Sequence, residues 1–128
     1  MKTVLATAYL IVALSLSGCV NDRKGVAEAN IELDNGEKWI VDKAMLEYIN
    51  AMEIAVNDFG PDGDISKLKA MLKDNLKGVT SNCTMEGQAH AELHKWLIPL
   101  MESVDDVDDK ESTERLKQHF MTFHTYFK

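Results

Sequence analysis

An all-α fold, an antiparallel up-down-up-down four-helix bundle, is what this sequence predicts, and three observations predict it. Apolar residues recur at intervals of three and four in four separate stretches, the period of a helix with one buried face. Short polar or Gly/Pro-containing connections separate those stretches, as antiparallel neighbours require. Alternation of period two is confined to one short run, about residues 31–41.

In that run, IELDNGEKWIV, Ile31 and Leu33 alternate with polar neighbours, Asp34, Asn35 and Gly36 form a turn signal, and Trp39 and Val41 resume the alternation. This predicts a short β-hairpin, which has to pack on the helices because an isolated hairpin is marginal in water. The competing reading begins the first helix at Asn35. On the hairpin reading Asp42 is the N-cap of the first helix, whose stripe is Met45, Tyr48, Ile49, Met52, Ala55, Val56 and Phe59. Gly60, Pro61, Asp62 and Gly63 stop it.

Asp64 is the expected cap of the second helix, which carries Ile65, Leu68, Leu72, Leu76 and Val79 on one side. Its lysines, Lys67, Lys69, Lys73 and Lys77, read as a solvated face, and extending the apolar spacing reaches Cys83. The third helix is expected from about Glu86 to Val104, with Leu93, Leu97, Leu100, Met101 and Val104 buried and Pro99 projecting elsewhere. The acidic run Asp105, Asp106, Asp108 and Asp109 reads as a connection whose last aspartate caps the next helix. It lacks the glycine and terminal glutamate of a calcium loop. From Lys110 onward, Leu116, Phe120, Phe123 and Phe127 form the stripe of the fourth helix, flanked by His119 and His124. Met45, Met52, Met71 and Met101 read as adaptable core filler.

The amino-terminal end has a different character. Lys2 precedes an apolar run, Val4, Leu5, Tyr9, Leu10, Ile11, Val12 and Leu14, that is shorter than the roughly 20 residues of a spanning helix. After it come Leu16, Ser17, Gly18 and Cys19, which resemble the lipobox of bacterial lipoproteins. The resemblance implies a signal peptide over 1–18 and diacylglyceryl and palmitate-type acylation of Cys19; the residues that follow carry few large apolar groups and read as a lipidated tether over 19–30, which leaves the helical domain over 31–128. Two or three acyl chains hold a bilayer surface stably, where one does so only marginally. Val20, in place of an aspartate, directs such a protein to the periplasmic face of the outer membrane where the cell envelope has two membranes.

The formal charge of the whole chain is −7; removing 1–18 takes away one positive charge, Lys2, and leaves −8. An acidic chain excludes nucleic acid as a partner and leaves the lipid bilayer, reached through Cys19, as the expected one. Cys19 and Cys83 are the two cysteines. With Cys19 acylated, Cys83 has no intrachain partner and no disulfide framework forms.

Chemistry concentrates in CTMEGQAHAELH. Cys83 and Met85 offer two sulfur atoms just before the third helix, while His90 and His94, one turn apart, project from one side of it. Thiolate, thioether and imidazole form a soft donor set that favours Cu(I) or zinc, copper first. His124 and His119 are candidates to complete it. The bland alternative makes these groups a helix junction in a structural or interaction lipoprotein with no cofactor.

Two further resemblances bear on the cofactor. His90 and His94 resemble the HxxxH pair of four-helix metal proteins of the hemerythrin and ferritin kinds, but the chain has no ExxH or HxxxE partner for a di-iron site. The terminal FHTYFK resembles that of the soluble four-helix b-type cytochromes. That likeness implies haem held by His124 and by Met45 or Met52, without covalent attachment because CxxCH is absent. An enzyme is not expected. Cys83 and His90 lack an oxyanion hole and an orienting third group, and hydrolase, phosphate-loop and dinucleotide motifs are missing.

Overall fold

Capped amphipathic stretches fold into four helices in a computed structural model that describes residues 30–128. They are α1 (Lys43–Asn57), α2 (Ile65–Ser81), α3 (Gly87–Asp105) and α4 (Lys110–Tyr126). The lipobox, Cys19 and nearly all of the tether lie outside the described residues. Two caps act as their sequence suggests. Asp64 accepts from the backbone N–H groups of Ser66 and Lys67, and Asp109 forms a capping box with Ser112. Each such cap contributes about 1 kcal/mol.

The helices form a ring in which each packs on its neighbours in sequence and α4 closes on α1. The predicted stripes meet at its centre: Met45, Ile49, Met52 and Val56, then Leu68, Leu72, Leu76 and Val79, are all buried. From the other half come Leu93, Trp96, Leu97, Leu100, Val104, Leu116, Phe120, Phe123 and Phe127. Trp96 is the hub of this half. Its ring centre lies 4.8 Å from Phe123 and 6.2 Å from Phe120, and its indole N–H donates to the His119 carbonyl at 2.6 Å. No helix of the described residues is long and apolar enough to cross a membrane.

Gly78 has a packing role that its poor helix propensity conceals. A Cβ there would stand 2.4 Å from ring atoms of Tyr48, so the missing side chain is what lets α1 lie closely on α2.

The structure departs from expectation in three places. Met71 and Met101 are 41% and 39% exposed rather than core filler, because each sits one residue, 100° around its helix, from a fully buried leucine, Leu72 on α2 and Leu100 on α3, and so falls at the margin of the buried stripe. Asp42 occupies the N-cap position of α1, but its side chain makes no cap bond there. The hairpin keeps its turn and loses its ladder. Asn35 and Gly36 have φ of 52° and 89°, the paired positive values of a type I′ turn, and Asp34 and Glu37 exchange backbone hydrogen bonds at 2.9 Å.

Beyond that pair the backbone ladder between the arms stops, and the Trp39 indole N–H donates to the Glu32 carbonyl at 2.6 Å. Glu32 N–H and the Asn30 carbonyl are drawn onto α3 by Glu92 and Lys95, so the first arm is engaged elsewhere. Trp39 and Val41 pair instead with the end of α4 and the residues after it. Trp39 N–H donates to Tyr126, Lys128 N–H to Trp39 and Val41 N–H to Lys128, each at 2.9 Å.

Candidate metal centre

The loop Asn82–Glu86 turns the chain from α2 into α3 and carries both candidate sulfurs. Asn82 closes α2 by giving its backbone and side-chain N–H groups to the Gly78 carbonyl. Cys83 follows, half-buried against the core, and Met85 packs there too. Gly87 opens α3 at φ 66°, a left-handed conformation that favours glycine. The first turns of α3 then present His90, half-buried, and His94, exposed.

The spacing expectation is met: the two imidazoles face one another. Their Nε2 atoms are 2.7 Å apart and their rings lie edge to face, with centres 4.3 Å apart. At that separation one ring donates and the other accepts. Cys83 Sγ stands 4.0 Å from His90 Nε2, so the loop folds the thiol back over the histidine pair.

These distances can be set against metal geometry. Two imidazole nitrogens sharing a tetrahedral ion are about 3.3 Å apart, and a nitrogen and a thiolate sulfur about 3.6 Å. The histidines would open and the thiol would close by about half an ångström each, within the reach of side-chain rotation. As the side chains stand, no three His, Cys, Asp or Glu groups among the described residues surround a single ion position. His94 also walls an open, shallow groove with Asn30, Ala91, Lys95, Ile98 and Pro99, which leaves its ring accessible from solvent.

The other candidates lie apart from this centre. His119 is buried and bonded to Ser103 Oγ at 2.7 Å. Ser103 is 13 residues beyond His90 on α3, about 20 Å along the helix axis. Burial pushes the His119 pKa down to about 4, so the ring is neutral at pH 7. His124 reaches across to α1 and pairs with Glu53 at 2.8 Å on the outside of the bundle. Met45 and Met52, the sulfurs of the haem reading, are wholly buried in the core. The structure therefore gathers Cys83, His90 and His94, keeps Met85 two residues away in the loop, and does not add His119 or His124.

One charged residue on the same helix was not singled out by motif. Glu92 has a fully buried side chain whose carboxylate accepts from Glu32 N–H at 2.8 Å, Lys95 Nζ at 2.8 Å and Gln88 Nε2. Burial alone would raise its pKa; the bonds from Lys95, Glu32 and Gln88, with the Lys95 charge, outweigh that and lower it. Its sequence signal was register, since Glu92 lies one turn before Trp96 on the inward side. A second unforeseen contact is long-range: Asp42 Oδ2 accepts from both the backbone N–H and the hydroxyl of Thr84. No family model matches the chain, and no curated protein or solved structure is similar to it.

Proposed function

We propose that the protein is a lipid-anchored, extracytoplasmic four-helix lipoprotein that binds a soft metal ion, copper, for sequestration or transfer at the membrane. One observation carries this reading: a thiol and two imidazoles meet at the start of α3, with Nε2 to Nε2 at 2.7 Å and Sγ to Nε2 at 4.0 Å. Met85, two residues on in the same loop and packed against the core, would have to swing outward to add a thioether as fourth donor. A thiolate and two imidazoles suit Cu(I) or zinc and disfavour calcium or magnesium. The acidic chain raises the local concentration of cations. Because Cys83 ligates as thiolate, binding releases a proton and weakens as pH falls.

Anaerobic competition titration of the full chain with Cu(I) against a chromophoric chelator tests the site. The parent is expected to bind one ion, and the Cys83→Ser, His94→Ala double variant to bind at least about 100-fold more weakly, each lost ligand removing a tenfold or larger share. A folded parent that leaves all the copper on the chelator would sink the reading. The anchor is tested separately by labelled palmitate, which should enter the parent and not Cys19→Ala. Equal labelling of the two would place the acyl chain elsewhere.

A structural lipoprotein is the second reading, and a specific observation favours it. Cys83 and Met85 pack against the core while the histidines satisfy one another, so these groups close the bundle without an ion. On that reading the double variant lowers the melting temperature and leaves copper titrations flat in both proteins.

A further inference from the structure

Helix α1 supplies none of the candidate copper ligands, yet it grips the segment bearing Cys83 from both sides. Before the thiol, Tyr48 lies over Gly78, whose carbonyl holds the backbone and side chain of Asn82 at 3.1 and 2.8 Å. After it, Thr84 gives its N–H and its hydroxyl to Asp42 Oδ2 at 2.6 and 2.8 Å. Cys83 is thus enclosed between two anchored residues.

Asp42 is the more telling of the two anchors. At an N-cap position an aspartate ordinarily accepts from the first-turn N–H groups of its own helix, a bond worth about 1 kcal/mol. Here that bond is absent, and the carboxylate reaches 42 residues along the sequence to a single loop residue. Both bonds are charge-assisted, the stronger kind. Thr84 is the residue immediately after the thiol, so fixing its backbone fixes the direction from which Sγ approaches α3.

We infer that Asp42 is the positioning residue that sets Cys83 Sγ against His90 Nε2. Its effect on copper affinity rests on the reading of Cys83 and His90 as ligands; its hold on the thiol belongs to the metal-free protein as well. Groups that orient metal ligands without touching the ion commonly account for 10–100-fold in affinity.

The test compares the full chain with Asp42→Ala and Asp42→Asn, the latter keeping an acceptor oxygen for Thr84. In metal-free protein, pulse alkylation of Cys83, quantified by mass spectrometry on the peptide that contains it, should run about tenfold faster in Asp42→Ala. In Asp42→Asn it should stay within about twofold of the parent. Leu116→Ala, a core change on α4, controls for lost global stability and should leave the rate near parental. In anaerobic Cu(I) competition, Asp42→Ala should weaken binding 10–100-fold, with recovery in Asp42→Asn.

An unchanged alkylation rate in Asp42→Ala overturns the inference, as does an equal rise in Leu116→Ala. Faster alkylation with no copper bound by any form, the parent included, upholds the hold of Asp42 on Cys83 and sinks the copper reading instead.

Discussion

Glu92→Ala is expected to destabilise the domain by about 3 kcal/mol, seen as a lower urea midpoint at unchanged slope. The carboxylate is wholly buried and fully partnered, so the effect comes from what its loss leaves behind. Glu32 N–H, Gln88 and Lys95 lose their shared acceptor together. Lys95 is 39% exposed and regains water, which puts the figure at the low end for breaking a buried pair. Glu92→Gln should cost nearly as much, since its amide group turns a donor toward donors. A glutamine variant within about 0.5 kcal/mol of the parent would show that shape, and not charge, holds this junction.

The linkage has a definite sign. A carboxylate whose folded pKa is depressed adds stability above its unfolded value, about 4.5, and loses it as pH falls through the lower folded value. Glu92 therefore contributes to acid unfolding only below pH 4.5.

His119 acts over the adjoining window. Its folded pKa of about 4 lies below the unfolded 6.5, so between those values the unfolded chain binds a proton that the folded chain refuses. Stability should climb as pH rises from 4 to 6.5 and level off above. The total is on the order of 2–3 kcal/mol from this ring. His119→Gln, able to keep the Ser103 bond, should flatten the slope in that window while leaving the fall below pH 4.5. Unfolding curves at half-unit pH steps measure both, and parallel slopes for parent and variant would assign the acid sensitivity to other groups.

Much of this fold was legible because its signals are local. Leu68, Leu72, Leu76 and Val79 mark one face by spacing alone, and Asp64 and Asp109 bond residues two or three places on. The same holds for His90 and His94, one turn apart on one helix. What spacing could not supply was the far partner. Asp42 sits where a cap belongs and bonds Thr84; Trp39 alternates as a strand should and pairs with Tyr126 and Lys128. Glu92 is bonded 60 residues away, and a carboxylate in a helix ordinarily faces water. Met101 shows the limit of a stripe read by spacing: it lies 40° from Leu97 but on the outer side of it, away from Trp96 and Leu100, where the face turns to solvent.

The clamp on Asn30 and Glu32 also determines how the domain bears a load. A pull applied from the amino-terminal side meets Lys95 on the Asn30 carbonyl and Glu92 on the Glu32 N–H before it reaches the turn at Asn35 and Gly36. Tension therefore enters the bundle through α3 and through the Trp39 indole that holds the Glu32 carbonyl, ahead of the turn that leads on to α1. Under the proposed anchoring at Cys19, the domain is rooted mechanically on the helix that carries His90 and His94.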